Sequence, residues 1–414
     1  MDMKQQMTAL AQRSREAARA LAKLDTATKN QLLLAMATGI ERAAAAIQTA
    51  NAKDLAAGQA AGLAPAMLDR LALNPARIAE IAKGVREVAG LPDPVGTPIR
   101  EWTRPNGIQI QKVRVPIGSI LIIYESRPNV TADAAGLCFK TGNAVILRGG
   151  SEAIHSNLAL AAAMNVPGLP AQGITVVPTT DRAAIDELLK LDELIQLCIP
   201  RGGEGLIRAV VEKSRIPVIK HYKGVCHVFV DRDADFDMAE KIVLNAKCQR
   251  PGVCNAIEKL LVDESIADTF LPRIATALAA RKVELRGDVA TRQRVPAVKP
   301  ATEADWTAEY LDLIIAVRVV SGVREAIDHI TQYGSAHSDA IVTGNRATAE
   351  RFLREVDSSS VFWNASTRLA DGAQYGFGAE IGISTDKLHA RGPMGLEELT
   401  SYKFIVTGTG QVRE

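Results

Sequence analysis

The chain has 414 residues, 47% of them hydrophobic and 23% charged, which is too long for one core and too apolar for disorder, so two or three domains are expected. With 49 basic and 47 acidic side chains the formal charge is +2, which gives no broad electrostatic reason to bind nucleic acid or membrane. The five cysteines, Cys138, Cys198, Cys226, Cys248 and Cys254, lack a CxxC pair and suggest free thiols in a reducing compartment; no metal site is expected. Without a secretion-type start or an uncharged run of roughly 18 residues, the chain reads as cytoplasmic.

Residues 1–90, rich in Ala, Leu, Arg, Lys and Gln, predict several amphipathic helices. Leu91-Pro-Asp-Pro-Val-Gly-Thr-Pro98 ends them. The runs 99–104 and 108–115, joined by Pro105-Asn-Gly107, predict a β-hairpin whose polar face suits either a plain sheet edge within one domain or an arm that pairs across a subunit boundary, the use expected of a homo-oligomer. From Val115 short apolar strands at 118–124, 144–147 and 174–177 alternate with helices ending at Lys140 and running from near Ala153 to Met164. This α/β pattern predicts a doubly wound, Rossmann-like parallel sheet with ligands at the carboxyl ends of its strands.

Gly202, Gly203 and Gly205 lie between a strand-like run and a helix-like one. Such a turn suits a phosphate or a nicotinamide ribose, and equally a plain tight turn; there is no GxGxxG. From about Gly224 a second α/β region begins, with a strand at 313–320. The end of the chain, from Tyr402, predicts one more strand to pair with the hairpin.

Within the second region, Asp235 opens a predicted helix and 257–263 predict a strand, so Asn245-Ala-Lys-Cys-Gln249-Arg-Pro-Gly-Val-Cys254-Asn places Cys254 on a short connection between rigid elements. Pro251 and Gly252 are expected to shape it, the glycine through a positive φ. A nucleophile fits this position; so does a small buried apolar group.

Five segments, Tyr124-Glu-Ser-Arg-Pro-Asn-Val-Thr131, Lys140-Thr-Gly-Asn-Ala-Val-Ile-Leu-Arg-Gly-Gly-Ser151, Gln249-Arg-Pro-Gly-Val-Cys254-Asn, Tyr333-Gly-Ser-Ala-His-Ser-Asp339 and 378–397, resemble in this order the aldehyde dehydrogenase superfamily over nearly the whole chain. The last two are similar to its branch that reduces an acyl phosphate. The resemblance implies a cofactor domain at 1–98 and 116–222, a catalytic domain at 223–360, an oligomerisation arm of a β-hairpin plus C-terminal strand at 99–115 and 386–414, and a return to the cofactor domain at 361–385.

It further implies that Cys254 is the nucleophile and that Asn129, with the Cys254 N–H, stabilises an oxyanion; position alone would also suit Asn129 as a helix N-cap. Arg148 and Ser151 would receive the 2′-phosphate of NADPH, unless Arg148 is a solvated strand-end arginine, and Glu309 would hold the nicotinamide ribose, unless it is a surface carboxylate. Arg127, Arg368 and Arg391 are implied for the substrate's phosphate and α-carboxylate, and Asp339 for its ammonium; each could equally be a structural ion pair. Arg250 could lower the thiol pKa.

Where hydrolytic relatives carry Glu-Leu-Gly-Gly, this chain has His221-Tyr-Lys-Gly-Val-Cys-His227, without the carboxylate that activates water; His221 could replace it or be structural. The implied reaction is the reduction of L-glutamyl 5-phosphate by NADPH to L-glutamate 5-semialdehyde, the second step of proline biosynthesis, with handover from glutamate 5-kinase. Rival readings are an acyl-CoA reductase on the same scaffold and a nucleotide-binding scaffolding protein with an inert thiol.

Overall fold

The computed structural model describes residues 2–125 and 127–413. The chain divides into a first unit of Met1–Lys220, Phe377–Gly382 and Met394–Glu414 and a second of His221–Gly376 and Ile383–Pro393.

The first unit opens with helices α1 (Met3–Leu21), α2 (Thr26–Arg42), α3 (Ala44–Ala60), α4 (Pro65–Leu71) and α5 (Pro75–Gly90). Asp2, Asp25 and Asn74 cap three of them, each side chain accepting from a backbone N–H in the first turn. Strands β1 (Pro98–Thr103) and β2 (Gln109–Pro116) form the hairpin, and Gly107 at φ +84° makes its turn. The C-terminal strand Thr400–Thr407 pairs antiparallel with β2. This three-stranded sheet exposes Tyr402, Phe404 and Val406, with Phe404 edge-on to Trp102.

There follow β3 (Ser119–Tyr124), α6 (Asn129–Lys140), β4 (Ala144–Arg148), α7 (Ile154–Met164), β5 (Ile174–Val176), α8 (Ala183–Leu188), β6 (Leu197–Arg201) and α9 (Glu204–Lys213). The parallel order is β5-β4-β3-β6. Every residue of β3 and β4 is buried, as helices on both faces require, which is why these strands are apolar runs without alternation. Strand order reverses between β3 and β6, so a crevice opens at their carboxyl ends.

The second unit contains β7 (Cys226–Val230), α10 (Phe236–Cys248), β8 (Ile257–Asp263), α11 (Glu264–Ala280), β9 (Glu284–Gly287), α12 (Val289–Arg294), β10 (Lys299–Pro300), α13 (Glu303–Thr307), β11 (Ile314–Val320), α14 (Val323–Tyr333), β12 (Ser338–Val342), α15 (Arg346–Glu355) and β13 (Ser360–Trp363). Its parallel sheet runs β10-β9-β11-β8-β7-β12-β13. Two domain limits differ from expectation. Residues 361–376 stay with this unit because β13 is its edge strand, Asn255 donates to the Ala370 carbonyl and Tyr375 to Ser360. Residues 383–393 stay there too, Lys387 and Arg391 both pairing with Asp357, so the arm sheet takes only the last strand from this end of the chain.

One core histidine makes the unit acid-sensitive. His329 of α14 is 3% exposed, neither ring nitrogen has a hydrogen-bond partner, and the rings of His227, Trp306 and Tyr333 surround it. Burial, with His227 and Arg318 adding to it, pushes its pKa down to about 3. Between about pH 6.5 and that value the unfolded chain binds a proton that the folded chain refuses. Stability therefore falls as pH falls, by up to roughly 1.4 kcal/mol per pH unit. Urea unfolding of His329→Phe is expected to show a shallower loss between about pH 6 and pH 4 than the parent chain; parallel curves would contradict this.

Candidate active site

Cys254 lies on the connection between α10 and β8, half-buried. Lys247 and Glu258, just inside those two elements, form a fully buried ion pair at 2.9 Å that ties the ends of the connection together. Burial raises the Glu258 pKa and Lys247 lowers it, so the lysine is what keeps a charge there tolerable. Gly252 does not adopt the left-handed φ expected of it. The glycine that matters is Gly224, where an added Cβ would fall 1.9 Å from the Cys254 carbonyl oxygen. The same oxygen accepts from the Cys226 thiol at 3.1 Å. Gly224 N–H donates to Glu309 Oε1 at 2.8 Å, so that carboxylate steadies the glycine segment.

The next residue, Asn255, is held by Thr367, which donates to its carbonyl, and by Ala370, which accepts from its side-chain amide. Arg368 donates to Asn255 Oδ1 and to Gln249 Oε1. Burial lowers the Arg368 pKa, with Arg250 adding to the effect, while Asp371 and Cys254 oppose it; this arginine is thus part of the electrostatic surroundings of the thiol. His221 and His337 flank Cys254, their rings 5.6 Å apart. His337 is fully buried, its pKa pushed down to about 3 chiefly by burial and then by His221, so its imidazole is neutral at pH 7. All these groups cluster at the amino ends of β7, β8 and β12.

Two expected substrate ligands belong to the framework. Asp339 is fully buried; its Oδ1 accepts from the His227 backbone N–H and lies 2.8 Å from His227 Nδ1, and its Oδ2 accepts from Ser358. A carboxylate so enclosed has no face for a substrate ammonium. Arg391 directs both Nη atoms at Asp357, the structural ion pair that its sequence position left open.

In the first unit, a cavity of about 900 Å³ opens at the carboxyl ends of β3, β4 and β6, lined by Glu125, Arg148, Ser151, Arg182, Gly205 and Lys213 among others. Arg148 is 8% exposed and gives its Nη atoms to the Gly149 and Thr180 carbonyls, with Nε unpartnered, so it is a wall of the cavity and not a solvated strand end. Ser151 lies at its mouth beside Glu152. Sequence reasoning missed Arg182 and Glu125. Glu125 Oε2 accepts from Gly203 N–H at 3.1 Å, and a Cβ at Gly202 would meet the same carboxylate. A carboxylate here repels a phosphate and offers an acceptor to a hydroxyl donor. Arg127 is exposed.

Asn129 is the first residue of α6, exposed, following Pro128 as cap residue, so the N-cap alternative does not hold. Its amide donates to Asp133 at 2.9 Å. Desolvation pushes the Asp133 pKa up to about 6 against the pull of that hydrogen bond.

Comparison with known proteins adds independent findings. The Aldehyde dehydrogenase family profile matches residues 2–312. A protein of Geobacter metallireducens named gamma-glutamyl phosphate reductase is 60% identical over 418 residues, covering 100% of both chains. The crystal structure of gamma-glutamyl phosphate reductase from Thermotoga maritima superposes with a TM-score of 0.97 at 48% identity, over 99% of this chain and 100% of that one. An acetylating aldehyde dehydrogenase from Geobacillus thermoglucosidasius, 17% identical with a TM-score of 0.69 over 100% of this chain and 98% of that one, shares the fold.

The glycine contacts predict opposite outcomes at two positions. Gly224→Ala is expected to cost about 1–3 kcal/mol in urea unfolding by displacing the Cys254 main chain. Gly205→Ala, with open space around the new Cβ and a helical position, is expected to be neutral or to stabilise by up to about 1 kcal/mol. Equal effects would contradict the contact at Cys254.

Proposed function

Because the chain belongs to the aldehyde dehydrogenase family and, within it, to the gamma-glutamyl phosphate reductases, we propose that it reduces L-glutamyl 5-phosphate to L-glutamate 5-semialdehyde and inorganic phosphate, with Cys254 as nucleophile and NADPH as reductant. The observation that carries this reading is the segment packed on the Cys254 carbonyl. It supplies Gly224 and His221 and, from His221 to His227, no carboxylate. That segment has no water-activating carboxylate, so a thioester on Cys254 persists for reduction.

The Cys254 thiolate attacks the acyl carbonyl carbon, and the Cys254 N–H and the Asn129 amide donate to the oxyanion. The carbon–oxygen bond to phosphate breaks, inorganic phosphate leaves and a thioester remains. The thiohemiacetal formed on reduction expels the Cys254 thiolate and releases the semialdehyde. Arg368, beside the thiol, and Arg127 serve the anionic groups of the substrate.

The cavity of the first unit fits a dinucleotide in size. Ser151 and Arg182 line this cavity and would receive a 2′-phosphate, Arg148 adds positive charge in the wall, and Glu125 would accept from ribose hydroxyls. Glu152 beside Ser151 opposes the first of these, so the arginines must outweigh it. When bound, NADPH supplies the hydride.

The reverse reaction is the practical test. NADP⁺ reduction with glutamate 5-semialdehyde is expected to require inorganic phosphate, to vanish in Cys254→Ala and to fall about 10²–10³-fold in kcat for Asn129→Ala. Equal rates without phosphate would point to a hydrolysing dehydrogenase, and a requirement for coenzyme A to an acyl-CoA reductase.

A further inference from the structure

Cys254 Sγ and one ring nitrogen from each of His221 and His337 lie within 4.8 Å of one another. They come from three separate segments, before β7, before β8 and before β12, so the fold and not local sequence brings them together. One thiol and two imidazoles without a carboxylate form a donor set for a borderline-soft cation; magnesium and calcium take oxygen. A second observation also points to a ligand. His337 is fully buried, yet its Nε2 has no hydrogen-bond partner, while Nδ1 lies 2.9 Å from Ser338 Oγ, a contact that fixes the ring. Oriented metal-binding imidazoles are arranged in this way, and buried polar atoms are otherwise rarely left unmatched.

We propose that Cys254, His221 and His337 bind one divalent cation of the zinc type, and that this cation reversibly withdraws the nucleophile from reaction. On binding, the Cys254 S–H bond breaks, a sulfur–metal bond forms and the proton passes to solvent; no electrons are exchanged. Three protein ligands leave the fourth tetrahedral position to water. Donor atoms around such a cation stand roughly 3.3–3.6 Å apart, given bonds of about 2.3 Å to sulfur and about 2.0–2.1 Å to nitrogen. The cluster therefore contracts by up to roughly 1.2–1.5 Å, which rotation of the half-buried Cys254 and His221 side chains toward the fixed His337 ring can provide.

The blocking effect rests on Cys254 being the nucleophile; the binding does not, and the test separates them. Metal-free full-length protein is titrated with Zn²⁺ by calorimetry and with Co²⁺ by following thiolate-to-cobalt charge-transfer absorption. One equivalent is expected to bind, the cobalt absorption to disappear in Cys254→Ala, and Zn²⁺ affinity to fall at least about tenfold in His221→Ala. His221 is used because replacing the buried His337 risks the fold. Cys248→Ser, outside the cluster, is expected to bind like the parent chain. NADP⁺ reduction is expected to fall with the same saturation curve and to return on adding a chelator. Unchanged affinity in both Cys254→Ala and His221→Ala would overturn the site. Undiminished turnover with the site saturated would overturn the blocking effect and with it the role of Cys254 as nucleophile.

Discussion

The carbonyl oxygen of Cys254 occupies the space in which any side chain at position 224 would lie, and the geometry of the second unit's site depends on that contact. Only glycine lets the two backbones approach so closely. The Cys226 thiol donates to the same oxygen and Glu309 holds the glycine's N–H, so the carbonyl is fixed from two sides and the segment from a third. With Asn255 clamped by Thr367 and Ala370, the thiol is carried on a stretch whose main chain is held at its own carbonyl and at the residue that follows. That rigidity is what a nucleophile needs if its own backbone N–H is to serve as an oxyanion donor.

The two units use their sheets in opposite ways. In the first, the cavity sits at the carboxyl ends of β3, β4 and β6, where strand order reverses, as open α/β sheets ordinarily arrange their ligands. In the second, Cys254, His221 and His337 gather at the amino ends of β7, β8 and β12. The second unit also buries polar groups near this site: Lys247 with Glu258, and His227 with Asp339, are ion or hydrogen-bonded pairs with no solvent exposure. Each is tolerable because both partners are present, and removal of either would leave the other stranded.

Much of this was legible in the chain itself. Fully buried parallel strands advertise themselves as apolar runs, and the connection carrying Cys254 lies between a helix capped by Asp235 and the strand Ile257–Asp263. The hairpin and the C-terminal strand pair as their alternation suggests. What stayed hidden depends on contacts across many residues. Gly224 meets Cys254 from 30 positions away, and Glu125 reaches Gly203 across two strands. Asp339 misled because it stands inside a distinctive motif, yet β12 turns it into the core beside His227. Gly252 misled in the other direction, since a glycine beside a proline need not use a left-handed φ.

The central claim, that this fold singles out one thiol, is tested most directly by timed iodoacetamide labelling of the native chain with each cysteine followed by peptide mass spectrometry. Burial pushes the thiols of Cys138, Cys198 and Cys226 well above the usual range and raises that of the half-buried Cys248 as well. Cys254 is therefore predicted to label first, with Cys138, Cys198 and Cys226 unmodified until the chain unfolds. Labelling of Cys254 no faster than Cys248 would contradict the account.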